Sequence, residues 1–204
     1  MRTVLLVCTG NICRSPIAGG FIRSLLAMRG LEEIEAESAG TAAWEGSQAV
    51  PEAIEALREL GVDISHHRAR RLNRSLIEQS DLIVAMAAEH RSAVGRLSPN
   101  AALRTFTLKE MVDLLRQIEP LLISGDAEER LDATIREAGV LRASGAEGPT
   151  DEDIEDPLGG GLQSFRATAW EIEVLCEELV DLMFGELPVR RQAAMRVAEE
   201  DERR

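Results

Sequence analysis

Four aliphatic residues, Val4-Leu5-Leu6-Val7, run without polar interruption into Cys8; Gly10, Arg14, Ser15, Pro16 and helix-forming sequence follow. An apolar run without alternation is the mark of a strand covered on both faces, as at the centre of a parallel sheet. Thr3–Val7 is therefore expected as a buried strand, and Ser15-Pro16 as a helix start with the hydroxyl at the cap and proline in the first turn. A strand joined to a helix by a tight glycine-containing loop gathers free backbone N–H groups and the positive end of the helix dipole at one point. Such a loop binds anions, and this one also carries a thiol at its base and a guanidinium at its far end.

The rest of the chain repeats the alternation. Strands are expected at Glu33–Ser38, Asp81–Met86 and Leu103–Phe106. Helices are expected from Ile17 to a stop at Gly30, over Pro51–Leu60, near Asn73–Gln79 and Ala88–Leu97, and over Leu108–Ile123, Asp126–Ala138 and Leu162–Phe184. Alternating strands and helices point to an open parallel α/β sheet, which binds ligands at the carboxyl ends of its strands. Trp44, in a loop flanked by Gly40 and Gly46, is expected to pack. The basic run His66-His67-Arg68-Ala69-Arg70-Arg71 is expected to be a solvated helix entry.

The net charge is −13. Between Glu110 and Pro157 fourteen acids face four arginines, a surface that repels nucleic acid. No apolar run approaches the ~20 residues that span a bilayer, and no signal segment is recognisable, so no membrane partner and a cytoplasmic location are expected. The three cysteines (Cys8, Cys13, Cys176) form neither a disulfide framework nor a zinc-site spacing, so no metal is expected.

Phosphate ester chemistry fits the first loop. Cys8 can act as nucleophile only as thiolate, a form favoured by loop amides, a helix N-terminus and the Arg14 charge. Arg14 can hold two phosphate oxygens in a planar fork. Ser15 can donate to the sulfur, and Gly10 lets the backbone turn inward. An oxygen leaving group of high pKa also needs an acid. Asp156-Pro157, followed by Gly159-Gly160-Gly161 and set before a long helix, is the best candidate.

Val7-Cys8-Thr9-Gly10-Asn11-Ile12-Cys13-Arg14-Ser15-Pro16-Ile17-Ala18 closely resembles the C-x5-R signature loop of the low-molecular-weight protein-tyrosine phosphatases. The resemblance continues through Ser38-Ala39-Gly40-Thr41 with Trp44, His67-Arg68-Ala69-Arg70, Asp81–Met86 and Asp156-Pro157. It implies a flavodoxin-like three-layer sandwich with a four-stranded parallel sheet flanked by helices, and a two-step reaction without cofactor. By this likeness Cys8 takes the phosphoryl group as a phosphocysteine, Arg14 binds it, and Asp156 protonates the leaving oxygen and then activates water. Thr9, Gly10, Asn11, Ile12, Cys13 and Ser15 would line the phosphate site. Trp44 and Leu158 would wall the cleft, and Asn11, Ser15, Ser38 and His67 would brace the loop. Cys13 matches a second loop cysteine able to form a reversible disulfide with the nucleophile. The implied partners are a phosphorylated protein or small aryl phosphate, with inorganic phosphate as product, on a monomer or weak dimer.

The chain departs from many relatives in having Leu158 after Asp-Pro and no tyrosine. Phosphoarginine-specific relatives share Asp-Pro-x-Gly-Gly but carry threonine where this chain has Ile12. Arsenate reductases need further cysteines near the site, for which Cys176 is poorly placed. A binding module without turnover is the non-enzymatic alternative. The expected organisation is one phosphatase domain, 1–184, with an acidic insertion at about 113–153, expected to be a solvated helical excursion, and a charged tail, 185–204.

Overall fold

In a computed structural model, residues 1–119, 122–146 and 148–185 are described. Four parallel strands, β1 (Arg2–Cys8), β2 (Ile34–Gly40), β3 (Leu82–Ala85) and β4 (Thr105–Thr107), pair in the order β2-β1-β3-β4. Seven α-helices accompany them: α1 (Arg14–Arg29), α2 (Pro51–Glu59), α3 (Arg74–Gln79), α4 (Ala88–Leu97), α5 (Leu108–Arg116), α6 (Ala127–Ala143) and α7 (Leu162–Phe184). This is the expected flavodoxin-like arrangement, with the reversal of strand order at β1 and β3.

The strand periodicity explains the uninterrupted apolar run. Val4, Leu6, Leu82, Val84 and Phe106 face a core built with α1, α2, α5, α6 and α7. Leu5, Val7 and Ile83 face a second core with Leu72, Ile77 and Val94, on the side of α3 and α4. Because both faces of β1 are covered from Val4 onward, no position from Val4 to Val7 could be polar without burial cost. Cys8 sits where this central strand ends, under the switch point.

Several expectations are corrected. Helix α1 begins at Arg14, with Cys13 at its cap and no side-chain capping bond; the Ser15 hydroxyl is drawn instead towards the Cys8 sulfur. The fourth strand starts at Thr105, because Pro99–Arg104 forms a 3-10 helix. Helix α5 ends at Arg116 rather than Ile123, four residues ahead of Pro120 in the sequence. Residues 66–71 are no helix entry: Gly40 N–H donates to the Arg70 carbonyl and Leu72 N–H to the Gly40 carbonyl, so the segment lies along the end of β2. Trp44 does not pack, its side chain being 86% exposed.

The acidic insertion is not merely a solvated excursion. Helix α6 has a complete capping box at Asp126 and Glu129 and buries Leu131, Ala133, Thr134 and Ala138. Two acids of α6, Glu128 and Asp132, meet Arg2 at the amino end of β1, remote from the carboxyl ends of the strands. The expected charged tail lies beyond Gly185, outside the described residues. Among the described residues no helix is long and apolar enough to cross a membrane.

Candidate active site

The segment after β1 folds around the Cys8 sulfur. Asn11 adopts φ 53°, the left-handed region, which an asparagine tolerates better than most residues. That turn points the Asn11 backbone N–H back at Cys8 Sγ, 3.2 Å away. The carboxamide, fully buried, is read out by its partners. Arg70 N–H donates to Asn11 Oδ1 (2.8 Å), so Nδ2 is the side that donates to Ser15 Oγ and Ser38 Oγ, both at 2.9 Å. Ser15 Oγ, which accepts from Asn11 Nδ2, lies 3.0 Å from Cys8 Sγ, to which it can donate, and 3.4 Å from the Ala39 carbonyl. The sulfur therefore sits among donors.

Outer groups hold the loop from three sides. His67 Nε2 lies 2.7 Å from the Asn11 carbonyl, and burial lowers the His67 pKa against the raising effect of that bond. Thr9 Oγ1 lies 2.8 Å from Nε2 of buried His90, whose pKa is lowered first by burial and then by Arg14. Val50 N–H donates to the Ile12 carbonyl, and Thr41 and Ala42 donate to the carbonyls of Cys8 and Thr9. A Cβ on Gly40 would meet Thr9 O at 2.5 Å and Asn11 N at 2.8 Å, so only glycine lets β2 lie this close.

Arg14 is 5% exposed at the first position of α1. Its Nη1 donates to the Ile154 carbonyl (3.0 Å) and its Nη2 to Asp156 Oδ2 (2.6 Å), while its buried Nε has no hydrogen-bond partner among the described residues. This side chain ties the distant Asp-Pro segment to the loop. Asp156 stays 45% exposed at the side chain, and its Oδ1 accepts from Leu158 N–H, which turns the carboxylate over Arg14.

The remaining expected residues divide. Cys13 is buried beside Cys8, and its thiol is pushed up to about 12, first by burial and next by Cys8. Ile12 is half-buried, packed under Gly10. Trp44 and Leu158 are exposed on loops at the same sheet edge as Cys8, 86% and 58% respectively, and neither is drawn into the loop's bonding. Cys176 is fully buried on α7 with its sulfur towards the Ala18 carbonyl, part of the α1–α7 packing. Sequence reasoning missed His90 and the Arg70 amide. The start of the helix after β3 was the available signal for His90, since strand-to-helix turns crowd the binding edge of such sheets. A cleft of about 380 Å³ opens there, lined by Thr9, Thr41, His90 and Arg96 among others.

The family model for low molecular weight phosphotyrosine protein phosphatase matches residues 3–120. A protein-arginine-phosphatase of Geobacillus stearothermophilus is 33% identical over 178 residues, covering 87% of this chain and 93% of that protein. A low molecular weight protein-tyrosine-phosphatase of Streptomyces coelicolor is 40% identical over 129 residues, 61% of this chain and 74% of that protein. Among solved structures, the low molecular weight protein tyrosine phosphatase from T. tengcongensis superposes with a TM-score of 0.67 at 35% identity, covering 89% of this chain and 99% of the other.

Proposed function

The chain belongs to the low molecular weight phosphotyrosine protein phosphatase family, a family of phosphoric monoester hydrolases, and on that premise we propose that it hydrolyses phosphotyrosine in proteins through a phosphocysteine on Cys8. The observation that carries the reading is the Arg14 fork. It sits on the loop that surrounds the Cys8 sulfur and is bonded at once to the Ile154 carbonyl and the Asp156 carboxylate.

In the first step the Cys8 thiolate attacks phosphorus, an S–P bond forms and the bond to the leaving oxygen breaks. Asp156, protonated for this step, gives its proton to that oxygen. Arg14 and the amides of Thr9 to Ser15, with Gly10, Asn11, Ile12 and Cys13 between, hold the equatorial oxygens and their charge. In the second step the Asp156 carboxylate takes a proton from water, whose oxygen attacks phosphorus. The S–P bond breaks, inorganic phosphate forms and the Cys8 thiolate returns, stabilised by Ser15. Ser38 and His67 brace Asn11 and so keep its amide aimed at the sulfur.

Ile12, Trp44 and Leu158 set the substrate. An aliphatic floor at Ile12 and an exposed indole at Trp44 favour an aryl ester lying against apolar surface. Because the catalytic thiol has to stay reduced, a reducing, cytoplasmic setting fits. A second reading, hydrolysis of phosphoarginine, is favoured by the breadth of the likeness to the Geobacillus enzyme, which covers 87% of this chain. The deciding experiment compares phosphotyrosine and phosphoarginine peptides on wild type and Ile12→Thr, with Cys8→Ser as the blank. Faster phosphotyrosine turnover by the wild type, shifted towards phosphoarginine by Ile12→Thr, is expected. Faster phosphoarginine turnover by the wild type overturns the tyrosine assignment.

A further inference from the structure

The chain returns to the site through residues 151–156, and the residues just ahead of Asp156 are held by a dense set of side-chain bonds. Arg91, on α4, grips Glu152 with both terminal nitrogens, at 2.5 and 2.8 Å. The same guanidinium bonds Glu110 Oε2 (2.6 Å), whose other oxygen accepts from Arg142 Nε (2.8 Å), and Arg142 stacks on the Phe106 ring at 3.7 Å. Two carboxylates and two guanidiniums thus form a neutral, interlocked set, in which each charge is matched and bonded. One residue on, Asp153 Oδ1 accepts from Ala88 N–H (2.7 Å) at the start of α4, where Ala87 has no side chain to cap the helix. Lys109 Nζ takes the Asp153 carbonyl at 2.6 Å and reaches Glu171 of α7 at 3.0 Å.

Ile154 N–H then donates to the Met86 carbonyl, and the Ile154 carbonyl accepts from Arg14. Beyond Asp156, by contrast, come Pro157, Leu158 and three glycines. A general acid must stay within hydrogen-bond reach of the oxygen it protonates, and a misplacement of about 1 Å can cost roughly 100-fold. We propose that Arg91 and Lys109, through Glu152 and the Asp153 carbonyl, are positioning residues that hold the Asp156 carboxyl for proton transfer. The end of the acidic insertion, residues 151–153, thereby takes part in the reaction. This inference rests on the reading of Asp156 as the general acid.

The role is separable from a general contribution to folding, because it acts on one proton. The ratio kcat/KM reports the step in which the leaving oxygen departs. Phenyl phosphate needs the proton in that step, and dinitrophenyl phosphate hardly does. Glu152→Gln and Lys109→Met are therefore measured on both substrates, with inorganic phosphate as inhibitor and with each change repeated in an Asp156→Ala background. The expected loss is about tenfold on phenyl phosphate and under about twofold on dinitrophenyl phosphate, with phosphate inhibition unchanged. In the Asp156→Ala background neither change should have a further effect on phenyl phosphate. Arg91→Met should behave as Glu152→Gln does; should it fail to fold, the near-isosteric Glu152→Gln decides. Equal losses on the two substrates, no loss on either, or losses that persist without Asp156, overturn the positioning role. If Asp156→Ala itself leaves the two substrates equally affected, the general-acid reading fails, and this inference with it.

Discussion

Arg14 Nη2 and Asp156 Oδ2 lie 2.6 Å apart across 142 residues of sequence, a buried cation holding a half-exposed carboxylate at the mouth of the Cys8 loop. One guanidinium thus serves two loops, and the proposed acid is coupled in position to the group proposed to bind phosphate. Asp156→Ala should lower kcat/KM for phenyl phosphate by about 100-fold or more and for dinitrophenyl phosphate by under about fivefold. Steady-state kinetics on the two esters measures this, and parallel losses would remove Asp156 from proton transfer.

Gly40 is where β2 meets the phosphate loop. A methyl group there would press on Thr9 O and Asn11 N, two backbone atoms with no room to yield. Gly40→Ala should destabilise the fold by about 2–4 kcal/mol and lower kcat/KM at least tenfold, since Asn11 N is the amide aimed at Cys8. Gly95→Ala is the contrasting change. Open space surrounds that glycine within α4, and alanine should stabilise by about 0.5–1 kcal/mol. Urea unfolding compares the two.

His90 and His67 make stability depend on pH in a defined direction. The His90 pKa is lowered first by burial and then by Arg14, against raising effects from Glu89, Asp153 and Asp156. That of His67 is lowered by burial and by Arg23, Arg70 and Arg68, against the Asn11 carbonyl. The folded state therefore resists protonation that the unfolded state accepts near pH 6.5. Stability is full above that pH and falls as the pH drops through it towards the folded-state values. Thermal unfolding from pH 7.5 to about 5.5 should show Tm declining, with a shallower decline in His90→Gln. An unchanged slope would remove His90 as a contributor.

Cys13, with its pKa pushed up to about 12, stays a thiol at neutral pH and is a poor target for direct oxidation. We expect peroxide to oxidise the Cys8 thiolate to a sulfenic acid, with which the Cys13 thiol condenses. A disulfide forms, and the Cys13 proton leaves with the sulfenic oxygen as water. Peroxide inactivation should thus be reversed by dithiothreitol in the wild type and largely irreversible in Cys13→Ala. Full recovery of Cys13→Ala after the same exposure would exclude the disulfide.

The parts of this protein that were legible in its sequence are those made by neighbours in the chain. Val4–Val7 announces a doubly covered strand because both its faces are buried, and the loop from Cys8 to Ser15 carries its thiol, guanidinium and hydroxyl within one turn of backbone. The return of Asp156 to Arg14 was reachable because a leaving group demands an acid near the loop. Contacts from remote segments were not legible. The Arg70 amide on Asn11, His90 on Thr9 and Arg91 on Glu152 depend on how β2, α4 and the acidic segment converge. Ser15 was misread as a helix cap because propensity cannot show that a sulfur 3.0 Å away competes for its proton. Helix α5 was read too long because its apolar spacing continues past Arg116.

The proposed reaction passes through a covalent bond between phosphorus and the Cys8 sulfur. Acid quenching of Asp156→Ala during turnover of dinitrophenyl phosphate, followed by mass spectrometry of its peptides, tests that bond directly. Slowed hydrolysis of the intermediate should leave phosphate on the peptide containing Cys8, and Cys8→Ser should show no turnover. Phosphate on any other residue, or turnover retained by Cys8→Ser, would contradict it.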